Sequence, residues 1–210
     1  MTVRLVVLEM GTANLFSLAS ALRYLGVPFT VTAEPAAVAD ATHLILPGVG
    51  AFDAAAQQLE AQGLVAAIRE HAVGHRRPLL GVCLGMQLLF EGSEEGARPG
   101  LGLLPGRIAL LQSDSRHRVP HVGFSPVSGF RQEGLFAGFS EVASFYFTHS
   151  YALPGDVPGA NVARCAHAAP FVAAVQAGNV CGAQFHPEKS QANGLRLLAN
   201  FVRLSIGAMA

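Results

Sequence analysis

The chain has 210 residues, 51% hydrophobic and 13% charged, with a formal net charge of zero. Its length suits one large core, so a single domain over residues 1–210 is expected, and the neutral balance gives no electrostatic case for nucleic acid or an anionic membrane. No apolar run is long enough to span a bilayer, the first residues read as a strand rather than a signal peptide, and no CxxC or HExxH suggests a metal or cofactor. Three cysteines without paired spacing argue for a reducing cytoplasm over a disulfide framework.

In chain order, residues 3–8 form a continuous apolar run, as expected of a parallel strand buried on both faces. Gly11-Thr12-Ala13-Asn14 makes a turn. A helix follows with Leu15, Leu18, Leu22 and Leu25 on one face, stopped by Gly26 and Pro28. Strands are expected at 29–32 and 43–46, the second ending in Pro47-Gly48-Val49-Gly50. Residues 51–70 are helical in pattern, with a break near Gly63. Residues 79–82 form another strand, followed by a helix over 86–91. Alternating strands and helices imply a doubly wound, mostly parallel sheet. Loops at the carboxyl ends of such strands build sites, and Asn14, Gly50 and Cys83 lie at those ends.

After Gly92 the pattern turns β-rich. Strands are expected at 107–111, 142–146, 161–165, 171–176 and 180–184, with Ala177-Gly178-Asn179 as a hairpin turn. These antiparallel strands extend the first sheet or add a small one. A last helix over 193–204 puts Leu195, Leu198 and Val202 inward. Cys165 and Cys181 read as buried core.

Gly81-Val82-Cys83-Leu84-Gly85 has the glycine spacing of a sharp strand-to-helix turn that lifts a nucleophile off the sheet edge. A β-carbon at either glycine would crowd the turn, and a cysteine at a helix N-terminus is favoured as thiolate. A base is offered by Gln184-Phe185-His186-Pro187-Glu188-Lys189-Ser190. On an extended backbone His186 and Glu188 point to the same side, so the carboxylate orients the imidazole. An oxyanion hole needs convergent backbone N–H groups. Leu84 offers one, and Val49 and Gly50 are candidates for the second; Pro47-Gly48-Val49-Gly50 reads equally well as an ordinary strand-to-helix turn.

Together with His186-Pro187-Glu188, the Cys83 segment resembles the class I glutamine amidotransferase domain. Within that class several segments are similar to the glutaminase subunits of imidazole glycerol phosphate synthases. They are Pro47 to Phe52, Phe90-Glu91-Gly92-Ser93-Glu94-Glu95-Gly96, Val119-Pro120-His121-Val122-Gly123-Phe124, Thr148-His149-Ser150-Tyr151 and Gln184 to Ser190. They occur in order and span essentially the whole chain.

The resemblance implies a flavodoxin-like fold with added antiparallel strands and hydrolysis of glutamine by a Cys83, His186, Glu188 triad. Gln87, Glu95 and the backbone around His149, Ser150 and Tyr151 would hold the substrate. Ammonia would pass to a separate (β/α)8-barrel cyclase in histidine biosynthesis, with Asn14, His121 and Lys189 facing that partner. Because a peptide beside Gly50 flips at little cost, activity is expected to be weak until the partner docks.

Two positions depart from the family pattern: Ala13 replaces a glycine and Phe124 a tryptophan. The other readings are an amidotransferase of another synthase, such as the vitamin B6 system, and a silent binding subunit. Pro47-Gly48-Val49-Gly50, where the vitamin B6 system carries Gly-Gly-Glu-Ser, disfavours the first. An intact triad disfavours the second.

Overall fold

Residues buried on both sides make the central strands, and short amphipathic helices cover them. A computed structural model describes residues 3–11 and 15–204. The first part runs β1 (Leu5–Leu8), α1 (Leu15–Tyr24), β2 (Phe29–Thr32), α2 (Pro35–Asp40), β3 (His43–Gly48), α3 (Phe52–Ala61), α4 (Leu64–Arg69), a π turn at Glu70–Gly74, β4 (Leu79–Cys83) and α5 (Leu84–Leu88). The second part adds β5 (Gly92–Ser93), β6 (Arg107–Leu110), β7 (His121–Ser128), β8 (Val142–His149), β9 (Tyr151–Ala152), β10 (Asn161–His167), β11 (Ala169–Ala177), β12 (Val180–Ala183) and α6 (Gln191–Val202).

The main sheet has nine strands in the order β2-β1-β3-β4-β12-β11-β10-β7-β8, and β5-β6-β9 form a small second sheet. Ladders are parallel from β2 through β12 and antiparallel from β12 through β8. The later strands therefore do both things expected of them: most extend the first sheet, and a few make another. The antiparallel share equals the parallel one, because β7 joins as a strand of its own. Gly123 and Pro126 obscure it in the sequence.

The alternation of a strand assigns side chains to faces. Leu5 and Val7 of β1 enter one core with Leu18, Leu22, Phe145, Phe185 and Phe201, while Val6 and Leu8 enter the other with Leu46, Phe52, Leu64 and Ile68. Helices α1 and α6 thus cover one face, and α3 and α4 the other. Gly63 separates α3 from α4 in the left-handed region at φ +68, which suits a residue without a side chain.

Three α-helices also differ from expectation. Helix α5 starts directly at Leu84 and ends at Leu88, earlier and shorter than 86–91, because the elbow itself turns the chain into the helix. Helix α6 begins at Gln191 and buries Leu197, Leu198 and Phe201 most deeply, with Leu195 and Val202 only partly covered. Helix α2 has little apolar periodicity, Val38 being its buried residue. Cys165 and Cys181 are buried, free thiols. Among the described residues no helix is long and apolar enough to cross a membrane. Asn14 and Ala13 lie outside the described residues.

Candidate active site

Strand register builds the site. Gly48 of β3 pairs with Cys83 at the end of β4, which sets the Val49-Gly50 loop beside the elbow. Ala183 of β12 pairs with Val82 on the other side of β4, so Gln184 emerges next to Cys83. The nucleophile candidate is thus flanked by loops of both neighbouring strands.

Cys83 sits at φ 54, ψ −112, in a region L-residues rarely occupy. The flanking glycines make that turn sterically possible. A β-carbon on Gly81 would lie 2.5 Å from the Gly85 carbonyl oxygen, and one on Gly85 would overlap the Leu46 carbonyl oxygen. The elbow is therefore packed backbone to backbone against β3.

His186 is buried, and its backbone N–H donates to the Tyr146 carbonyl at 2.9 Å. The Ser190 hydroxyl donates to the His186 carbonyl at 2.6 Å and accepts the Tyr146 N–H at 2.9 Å, clamping the loop to β8. His186 Nδ1 lies 2.7 Å from Glu188 Oε1, and both side chains are 4% exposed. The contact arises differently from the extended geometry expected. His186 alone is extended, and Pro187 begins a 3-10 turn (Pro187–Lys189) that brings Glu188 back under the ring.

Burial opposes a charge on His186, but Cys83 and Glu188 together outweigh it and raise the imidazole to about 9. Nε2 itself has no hydrogen-bond partner of ordinary geometry. The influence of Cys83 is thus that of a nearby sulfur rather than a formed bond.

Cys83 and His186 share a cavity of about 340 Å³ with Val49, Gly50, Leu84, Gln87, Glu95, His149, Ser150 and Tyr151. Every residue proposed from sequence for catalysis, oxyanion binding or substrate binding lines this cavity, apart from Glu188 behind His186. Its size is that of a small-molecule site. Gln87 Nε2 donates to the Tyr151 carbonyl at 2.9 Å and to Gln184 Oε1 at 3.2 Å. Glu95 Oε2 accepts the Phe52 N–H at 3.0 Å, at the start of α3. Pro120 and Thr148 also line the cavity.

Gln184 is a residue that motif reading passed over. It is fully buried, and its Nε2 points at Cys83 Sγ from 3.9 Å. Its signal was the parallel register of β4 and β12, which only the fold reveals.

Of the residues expected at a partner surface, Lys189 is exposed, with Nζ 5.7 Å from the Tyr146 ring centroid. His121 is a correction. It is 4% exposed, because β7 turns its ring inward against Phe147 and His149. The exposed apolar residues of that segment are Val122 and Phe124, the latter edge-on to Tyr146 at 5.5 Å.

The class-I glutamine amidotransferase family model matches residues 6–204. An imidazole glycerol phosphate synthase subunit HisH from Xanthomonas oryzae is 48% identical over 198 residues, covering 94% of this chain and 96% of that protein. The protein of the same name from Symbiobacterium thermophilum is 46% identical, covering 96% and 94%. A glutamine amidotransferase crystal structure superposes with a TM-score of 0.74 at 20% identity, covering 94% of this chain and 96% of that one. The glutaminase domain of Trypanosoma brucei CTPS with bound acivicin gives 0.60 at 18% identity, covering 97% and 95%. At those identities the structures share the fold.

Proposed function

This chain belongs to the class-I glutamine amidotransferase family, and from that premise we propose that it is the glutaminase subunit of an imidazole glycerol phosphate synthase in histidine biosynthesis. The observation that carries the chemistry is the meeting, around one cavity, of a strained cysteine elbow with a buried imidazole–carboxylate pair. Near-full-length relatives named as that synthase's HisH subunit support the assignment to this pathway.

In the reaction, Cys83 Sγ attacks the side-chain amide carbon of L-glutamine. The developing oxyanion meets the Leu84 N–H and a peptide N–H of the Val49-Gly50 loop. His186, held by Glu188, delivers a proton to the departing nitrogen, and the C–N bond breaks to give ammonia and a thioester. His186 then takes a proton from water as it attacks the thioester carbon. The C–S bond breaks, releasing glutamate and restoring Cys83. Net, one glutamine and one water give one glutamate and one ammonia.

Substrate orientation follows from the lining chemistry. Glu95 and the Gln87 oxygen are acceptors and suit the α-ammonium. Backbone N–H groups around His149, Ser150 and Tyr151 suit the α-carboxylate.

Ammonia passes to a separate (β/α)8-barrel cyclase in the cytoplasm. Docking involves Lys189 and the exposed apolar side chains of Phe124 and Val122 on the adjoining β7–β8 surface. Gly50, at φ +103 with open space where a side chain would stand, lets the oxyanion loop change conformation when the partner binds.

The test is glutamate release from L-glutamine, with and without the cyclase and its nucleotide. Weak activity alone and strong activation in the complex are expected. No turnover in the complex would overturn the assignment, and full activity of the isolated chain would overturn the loop's role. Cys83→Ala should abolish glutamine use and leave synthesis from free ammonia. Equal loss of both would make Cys83 structural.

A further inference from the structure

Outside the triad, a row of four histidines runs from His149, which lines the glutamine pocket, outward to the surface. His121 of β7 pairs in register with His149 of β8, and its Nδ1 lies 3.2 Å from His149 Nε2. His149 Nδ1 lies 2.9 Å from the Tyr151 carbonyl, and His121 Nε2 lies 2.8 Å from the Ser125 hydroxyl. The His121 ring is held flat between Phe147, at 4.7 Å, and His167, at 4.4 Å. His167 in turn touches His117, which pairs with Asp114 at the surface. Among the described residues no group of His, Cys, Asp and Glu has the geometry to hold a metal ion. The hydrogen-bonded part of the row is the His121–His149 pair, which His167 and His117 join through ring contacts.

Its polarity follows from one backbone carbonyl. Tyr151 O can only accept, so His149 Nδ1 must carry a hydrogen. Burial holds His149 at about 3 and His121 at about 4, so both rings are neutral near pH 7. A neutral His149 then leaves Nε2 as an acceptor, which makes His121 Nδ1 the donor. His121 Nε2 is left as an acceptor, so the Ser125 hydroxyl must donate. Hydrogen bonds thus run one way, from Ser125 to Tyr151 O.

The same Tyr151 carbonyl accepts a second bond, from Gln87 Nε2 at 2.9 Å, and the other Gln87 N–H goes to Gln184 Oε1. Both amide hydrogens are committed, and the oxygen is the polar atom left for a ligand.

We propose that His121 is a positioning residue: it steadies the His149 ring, whose Nδ1–H holds the Tyr151 carbonyl where Gln87 donates to it, so that the Gln87 oxygen stays aligned for the α-ammonium of the substrate. The proposal rests on the glutaminase reading and adds to it a specificity device assembled from β7 and β8.

The experiment measures kcat and KM for L-glutamine in the complex with the cyclase, alongside the rate of Cys83 labelling by iodoacetamide, a neutral reagent without an α-ammonium. His121→Leu removes the donor to His149 and should raise KM about tenfold, the effect of one hydrogen bond of ~1.4 kcal/mol, with kcat within about twofold. His121→Asn restores an N–H at the Nδ1 position and should return KM to within about threefold of wild type. Ser125→Ala, a small change at a half-buried position, removes the donor to His121 Nε2, loosens the ring's hold and should raise KM about threefold.

Labelling of Cys83 should stay within about twofold in all three variants. Unchanged KM in an active His121→Leu overturns the proposal. So does a loss of kcat and labelling together in all three, which marks a merely structural role. An inactive wild-type complex overturns the glutaminase reading and the proposal with it, so the two failures are distinct.

Discussion

Replacing Gly85 by alanine isolates one contact. Gly85 is not at positive φ, so the backbone conformation itself tolerates a side chain. The obstacle is the Leu46 carbonyl oxygen, which an added β-carbon would overlap, whereas real β-carbons stay at least 3.0 Å from such an atom. Leu46 cannot yield, because it is the middle of β3 and pairs with Gly81 of β4. The elbow must therefore move away by about an ångström or more.

Overpacking of this kind costs ~1–3 kcal/mol. In a chain of this size each kcal/mol lowers Tm by roughly 2–4 °C, which places the drop at about 2–12 °C. Displacing a nucleophile by an ångström costs about a hundredfold in rate. The assay is calorimetric Tm together with the rate of Cys83 labelling by iodoacetamide. Gly178→Ala is the control, since Gly178 has φ +58 and no atom within 4 Å of a β-carbon. It should lose ~1–2 kcal/mol from backbone strain and leave labelling untouched. A Gly85→Ala protein with unchanged Tm and labelling would refute the claim that close backbone approach fixes the elbow.

Glu188→Gln keeps an acceptor for His186 Nδ1 but removes the charge. Losing a charge-assisted bond of ~1.5–3 kcal/mol should cut turnover by about 10- to 100-fold in the complex, and a change under about twofold would deny Glu188 its role. Stability should fall on both sides of neutrality. His71, His121 and His149 are held by burial below 6.5, so their contribution is present above pH 6.5 and lost as pH falls toward about 4 and below. Each adds a slope of ~1.4 kcal/mol per pH unit. His186 is raised to about 9, so its contribution is full below 6.5 and lost as pH climbs to about 9. A Tm flat across both windows would contradict these assignments. Phe124→Asp places a charge on the exposed apolar patch beside Tyr146 and should weaken cyclase binding by more than tenfold. An unchanged Kd by titration calorimetry would move the docking surface elsewhere.

Strands β1, β3 and β4 were legible because burial on both faces leaves an unbroken apolar run. The elbow was legible because two glycines at fixed spacing have a steric cause. Strand β7 was hidden, since it carries Gly123 and Pro126 and shows solvent much of one face. The inward turn of His121 was hidden with it, because a histidine's surroundings depend on which residue stands opposite, and the His121–His149 pairing is a matter of register. Gln184 was missed for the same reason. His186 and Glu188 were paired from a two-residue spacing, yet the contact depends on a 3-10 turn that Pro187 begins.

Strand β12 has a consequence for how the molecule is made. Among the described residues it is the strand that joins the sheet half ending in β4 to the half ending in β11, and it follows both in sequence. Gln184 follows Cys83 by 101 positions, and His186 comes later still. A growing chain therefore carries its thiol through those 101 positions until Gln184 is made. Insertion of β12 joins the two halves and brings Gln184 and His186 to Cys83 in one event, so a chain stopped short of Val180 should leave that thiol without either neighbour.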